Sequence, residues 1–147
     1  MAKKKEVHKP EMPQITQTPW GHELLIASND LYVVKQLFIK AGKRLSLQVH
    51  EERFEHITLV SGGAQMYMET TQGLTNFLMS PMTPVEVAPG TMHRISALDE
   101  EDAVLVEVST NHPDDIIRID DDYGRADNLD AEQEGNYGID DIDGNND

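Results

Sequence analysis

The sequence predicts an all-β protein, a jelly-roll barrel whose interior can hold a ligand. Short runs rich in Val, Ile, Leu, Tyr and Phe recur at regular intervals, and Gly and Pro turn signals separate them. No stretch shows the 3.6-residue periodicity of an amphipathic helix. Many short strands with such punctuation are the pattern of a sandwich or barrel.

Taken in order, the first run covers residues 31–40 and ends at Ala41-Gly42. Residues 45–50 alternate Leu45, Leu47 and Val49 against Ser46, Gln48 and His50. On a strand, Gln48 and His50 therefore project from one face and the apolar residues from the other. A charged corner, Glu51-Glu52-Arg53, leads to Glu55 and the run 56–60, which stops at Ser61-Gly62-Gly63. Residues 64–69 and 74–79 flank Thr70-Thr71-Gln72-Gly73 as a hairpin. Pro81 and Pro84 interrupt the chain before Val85-Glu86-Val87, and Pro89-Gly90 marks a turn after which His93 opens another short run. Residues 103–108 form the last clear strand, closed by Asn111-His112-Pro113, and residues 114–119 read as a helical turn or a further strand. There is no internal repeat.

Chemistry concentrates between Gly42 and Gly62. Gln48, His50 and Glu55 are spaced so that adjacent strands can bring them into a small barrel, and His93 follows as a fourth candidate. Two imidazole nitrogens, a carboxylate and an amide oxygen then converge on one divalent cation. A lone strand histidine is ordinarily a solvated or core residue; the joint spacing is what favours a ligand set. That spacing is Gly42, five residues, Gln48-x-His50, four residues, Glu55, six residues, Gly62, and later Pro89-Gly90-x-x-His93.

This pattern resembles the two cupin motifs. It departs from them at Gln48, where most cupins have His, at Ala88, usually proline, and at Ala97, usually asparagine. Pro19-Trp20-Gly21, the run Leu45 through His50, Arg53-Phe54-Glu55-His56, Pro89-Gly90-Thr91-Met92-His93-Arg94 and the stretch from Asp114 to Arg125 resemble a narrower group. They are similar to the type II mannose-6-phosphate isomerase cupin, the C-terminal module of bifunctional mannose-1-phosphate guanylyltransferase/mannose-6-phosphate isomerases. The similarity covers about residues 17–125, and a Gln-x-His pair is what this isomerase family uses.

The resemblance implies a cupin double-stranded β-helix, here as a stand-alone domain, holding one divalent metal through Gln48, His50, Glu55 and His93. The metal is expected to be zinc, with manganese, cobalt, nickel or iron as alternatives. It implies interconversion of mannose 6-phosphate and fructose 6-phosphate through an enediolate. That chemistry needs a base for the C1–C2 proton, an electrophile, and a cationic grip on the phosphate. Ser46 and Arg53 match the family's phosphate-contacting residues and are expected near the mouth of the site. Arg118 matches its catalytic arginine and Glu107 an active-site glutamate. The ordinary alternative for Glu107 is a strand carboxylate paired with an arginine. Trp20 is expected to pack over one end of the barrel or to line the sugar site. Arg94 is a further substrate-binding candidate and His56 a secondary one, although an ideal strand points each to the face opposite its neighbouring ligand. The competing classes are a non-catalytic sugar-binding or assembly module and an iron cupin oxygenase, the latter disfavoured by Gln48.

Composition sets the frame. The 147 residues suffice for one substantial core. We expect a flexible segment at 1–14, the cupin domain at 15–125 and a disordered acidic tail at 126–147. Residues 113–147 carry 13 of the 27 acids against two bases, so this part holds most of the formal charge of −15. The tail, poor in large apolar residues, is expected to be solvated, or alternatively an interaction segment. Its acids do not follow the calcium-loop spacing of an EF-hand. Without cysteine there are no disulfides or thiolate ligands. Overall acidity argues against nucleic acid, and Lys3-Lys4-Lys5 is too short to reverse that. No apolar run approaches a membrane span and no signal-peptide core follows the N-terminal lysines, so a cytoplasmic location is expected. The expected partner is a small-molecule sugar phosphate, and a homodimer is compatible. A Gly-rich phosphate loop before a helix is missing, so nucleotide chemistry is not predicted.

Overall fold

The computed structural model describes residues 11–127. Among them the chain forms eleven strands and no helix: β1 (Gln14–Thr18), β2 (Gly21–Ser28), β3 (Tyr32–Ile39), β4 (Leu47–Val49), β5 (Glu55–Gly62), β6 (Ala64–Thr70), β7 (Gly73–Leu78), β8 (Val85–Val87), β9 (His93–Ala97), β10 (Ala103–Thr110) and β11 (Ile117–Asp120). They build a six-stranded sheet in the order β1-β2-β3-β10-β5-β8 and a five-stranded sheet in the order β11-β4-β9-β6-β7, antiparallel throughout. This is the all-β jelly roll that the sequence predicts. Residues 114–119, left open between turn and strand, contribute β11.

The core forms where the inner faces of the two sheets meet. Leu37, Ile39, Ile57, Leu59 and Leu105 from the larger sheet pack with Met66 and Ile95 from the smaller, each at most 2% exposed. Strand β10 shows why. Its Ala103, Leu105, Glu107 and Ser109 are buried while the residues between them are not, the period-2 pattern of a strand with one face inward. Strand β4 behaves differently, because both of its faces are buried. Leu47 and Val49 join Met92 and Ile119 in a second apolar cluster, which leaves Gln48 to face the barrel interior.

Glycine makes the sharpest corner. β5 and β6 lie in different sheets with only Gly63 between them. Gly62 turns the chain with φ 78°, and a Cβ on it would fall 1.7 Å from the Asp102 carbonyl oxygen. Left-handed backbone and lack of space both require glycine there.

The N-terminal hairpin β1–β2 is not evident in the sequence. Gln-Ile-Thr-Gln-Thr has one apolar residue and remains almost wholly exposed as an edge strand, so backbone pairing rather than side-chain pattern places it. β1 starts at Gln14, inside the segment expected to be flexible. At the other end, Asp127 accepts a hydrogen bond from the Arg118 backbone N–H at 2.8 Å and returns one to the Arg118 carbonyl. The first two residues of the expected tail therefore belong to the folded body. The remainder of that tail, and the N-terminal segment before residue 11, lie outside the described residues.

Candidate functional site

The alternation in β4 and the return of β5 and β9 bring His50, Glu55 and His93 together in the barrel. Their ligand atoms all lie within 4.8 Å of one another. His50 Nε2 is 2.9 Å from Glu55 Oε1 and His93 Nε2 is 3.4 Å from Glu55 Oε2, and all three residues are at most 1% exposed. Gln48, paired with His93 across the strands, places its amide 3.5 Å from His93 Nε2.

Hydrogen bonds on the far side of each ring define the site's chemistry. His50 Nδ1 donates to the Asp115 carbonyl at 2.6 Å and His93 Nδ1 donates to the Thr91 carbonyl at 2.9 Å. A neutral ring that spends its proton on Nδ1 presents a bare lone pair at Nε2. Two lone pairs and a carboxylate thus face one another, and His50 Nε2 and Glu55 Oε2 are buried without a hydrogen-bond partner. A divalent cation supplies the positive charge this donor-poor cluster lacks, so the residues fit a metal. Gln48 fits as a fourth ligand once its amide is turned, since Ser46 Oγ, 3.1 Å from Gln48 Oε1, can serve either end of that amide.

Asp115 is a supporting residue that sequence reasoning did not single out. Its carboxylate accepts the backbone N–H groups of Glu51, Glu52 and Arg53 at 2.9, 2.7 and 2.8 Å. Burial pushes that carboxyl up, and the three amides together outweigh it and hold it below its ordinary value. One residue thereby fixes both the β4–β5 corner and the orientation of His50.

Beside the cluster is a cavity of about 220 Å³, to which Gln48, Ser46, Arg53, Glu107, Arg118 and Trp20 all contribute. Ser46 and Arg53 are 2% and 8% exposed, so they line the buried part of the cavity rather than its mouth. Arg53 is held by the His112 and Pro113 carbonyls and by Glu55 at 3.1 Å. Glu107 is buried with its carboxylate 3.9 Å from Arg53 Nη1. Burial, then the charge of Glu55, pushes the Glu107 carboxyl up to about 8 against the pull of Arg53 and Lys35. Arg118 is opposite Gln48 in the β4–β11 pairing, and its Nε is buried without a hydrogen-bond partner. Trp20 packs in the core and also lines the cavity.

Arg94 and His56 are elsewhere. Arg94 projects from β9 away from His93 and is bound to the Leu45 carbonyl and to Asp120. His56 is exposed and stacks on Phe54. Three lining residues were not legible in sequence: Thr18, Glu23 and Lys35 come from β1, β2 and β3. Lys35 pairs with Glu23 at 3.5 Å, and Thr18 Oγ1 is buried without a partner. The only signal was Glu23 and Lys35 as charges inside otherwise apolar strands.

Residues 4–121 match the family described as mannose-6-phosphate isomerase C-terminal. The xanthan biosynthesis protein XanB of Xanthomonas campestris is 34% identical over 111 residues, 74% of this chain and 23% of XanB. The alginate biosynthesis protein AlgA of Pseudomonas aeruginosa is 32% identical over 74% of this chain and 22% of its own length. The mannose-1-phosphate guanylyltransferase ManC of Salmonella typhimurium is 30% identical over 81% of this chain and 25% of ManC. The chain thus spans about a quarter of the length of these relatives. Among solved structures, the capsular polysaccharide assembling protein CapF of Staphylococcus aureus superposes with TM-score 0.64 at 18% identity, over 74% of this chain and 34% of CapF. Oxalate decarboxylase of Lactobacillus farciminis superposes with TM-score 0.63 at 15% identity, over 73% of this chain and 33% of that one. The structural neighbours share the cupin fold, and the family match, distributed across the barrel that carries His50, Glu55 and His93, makes the chain a member of the mannose-6-phosphate isomerase C-terminal family.

Proposed function

We propose that the chain is a metal-dependent sugar-phosphate isomerase that interconverts mannose 6-phosphate and fructose 6-phosphate. The observation that carries this reading is that Gln48, beside His93, and Arg53, bonded to Glu55, line one cavity together with a protonatable carboxyl, Glu107, and Arg118, whose Nε is buried without a hydrogen-bond partner. Family membership agrees with it.

His50, Glu55, His93 and Gln48 hold the cation, which supplies Lewis acidity toward the sugar oxygens when bound. The protein's own groups move the proton. Glu107 takes the proton from C2 of the aldose as the C2–H bond breaks and negative charge moves to O1; the O2 hydroxyl proton then passes to O1, and Glu107 returns its proton to C1 to give the ketose. A carboxyl pushed up to about 8 exchanges a proton in both directions near neutrality. Arg118, which makes no ion pair among the described residues, faces the oxygen that becomes negative in the enediolate. Ser46, Arg53 and Trp20 shape the buried part of the cavity around the sugar. The phosphate lies toward Lys35 and Arg125, which also line the cavity and keep side-chain exposures of 27% and 30%.

The test is a coupled assay of the purified chain with mannose 6-phosphate after loading with zinc, manganese, cobalt, nickel or iron. Turnover that disappears on chelation and returns with metal is the expected result. Binding of the sugar phosphate without turnover under every metal would leave a sugar-binding module instead.

A further inference from the structure

Arg118 stands on a strand that its sheet secures from one side only. β11 is four residues long and forms an edge of the five-stranded sheet, with β4 as its neighbour. Their register slips between Arg118 and Asp120, immediately after the arginine. An irregularity of this kind disrupts the ladder locally and re-aims the side chains beside it. Asp127 holds the same residue from the free edge. Its Oδ2 accepts the Arg118 backbone N–H at 2.8 Å, and its own N–H donates to the Arg118 carbonyl at 2.8 Å. In an antiparallel strand the N–H and C=O of one residue point to the same side. Both Arg118 groups therefore look away from β4, and Asp127 stands where a further strand would pair.

The two bonds also close residues 118–127 into a ring, from which Arg118 and Arg125 both reach the cavity. Arg94 and Arg44 tie the middle of this ring to the body through Asp120 at 3.0 Å and Asp122 at 2.7 Å. Those anchors lie beyond the slip in register, and the Asp127 bonds carry the hold back to residue 118.

We infer that Asp127 is a positioning residue for Arg118, fixing the backbone from which its guanidinium enters the cavity. The inference rests on the reading that Arg118 stabilises the enediolate. The carboxylate is spent on the backbone N–H, while Arg118 Nε stays without a hydrogen-bond partner. An acid bound to the guanidinium itself would cancel charge that the enediolate needs. Asp127 is exposed, so replacing it changes global stability little. Placement matters more than stability here, since a shift of about 1 Å at a catalytic group costs up to about a hundredfold in rate.

The experiment compares Asp127→Ala with Asp127→Asn, which keeps a side-chain oxygen for the Arg118 N–H, in the full 147-residue chain. Turnover, metal content and urea midpoint are measured on the same preparations, together with the NMR resonance of the Arg118 Nε–Hε group, identified by its loss in Arg118→Ala. Asp127→Ala is expected to lower kcat about tenfold at unchanged KM, metal content and urea midpoint. Asp127→Asn should recover most of the rate and the wild-type resonance. Adding Asp127→Ala to Arg118→Ala should change the rate by less than about twofold, because the effect passes through the arginine. Wild-type kcat in Asp127→Ala, additive losses in the double variant, or a rate loss accompanied by lost metal or a lowered urea midpoint each overturn the inference. A wild type without turnover under any metal fails the isomerase reading instead, and the resonance then decides: an unmoved Arg118 signal in Asp127→Ala refutes the positioning role, and a shift that Asp127→Asn reverses supports it.

Discussion

Arg53 joins the two buried carboxylates of the site: its Nη1 donates to Glu55 at 3.1 Å and stands 3.9 Å from Glu107. A single cation therefore sits between the proposed metal ligand and the proposed base. It keeps two carboxylates close without requiring both to be neutral, and it accounts for Glu107 staying titratable when burial and the charge of Glu55 push its carboxyl up.

The first prediction concerns that titration. The unfolded Glu107 carboxyl loses its proton near 4.5, the folded one near about 8. Between these values the folded state keeps a proton that the unfolded state releases, so the penalty is absent at lower pH and grows as pH rises toward 8. Urea unfolding from pH 5 to 8 should show stability falling with pH in the wild type and a flatter profile in Glu107→Gln. Equal slopes would mean Glu107 is not the buried proton store described here.

Metal removal comes next. A cation that binds only the folded protein at about 100 times its Kd stabilises by about 2.7 kcal/mol. Chelation should therefore lower the melting temperature by roughly 10 °C. The double variant His50→Ala, His93→Ala should show neither metal in elemental analysis nor a chelation shift. Full occupancy in that variant would place the metal elsewhere.

Arg118→Ala should reduce isomerase turnover by about two to three orders of magnitude at unchanged metal content, the scale for loss of one transition-state contact. Lysine should rescue only in part, since its ammonium lacks the planar fork of the guanidinium. Metal content and rate measured on the same preparation separate the roles: joint loss of both would indicate a structural residue.

Asp115→Ala removes the acceptor of three backbone amides at the corner that carries His50. The expected cost is about 1–3 kcal/mol in denaturant unfolding at neutral pH. Because the folded Asp115 carboxyl is held below its ordinary value, its contribution is present at neutral pH and is lost as pH falls through the acid range. The gap between wild type and variant should therefore narrow in acid, and a pH-independent gap would contradict the role.

Local sequence determined the strand content from β3 to β10 and the ligand spacing, because period-2 alternation and Gly or Pro turns act over a few residues. Gln48 and His50 share a face of β4 for that reason alone, and Glu55 opens the next strand after a short corner. What lies across the barrel needed the tertiary structure. β1 has too little apolar pattern to announce itself, so Thr18 became a cavity residue only through sheet pairing. Asp115 supports His50 across 65 residues of chain, a contact that no local periodicity encodes. The division has one physical cause. Alternation states which residues share a face, while register and sheet order state what that face meets, and those depend on backbone pairing between segments far apart in the chain.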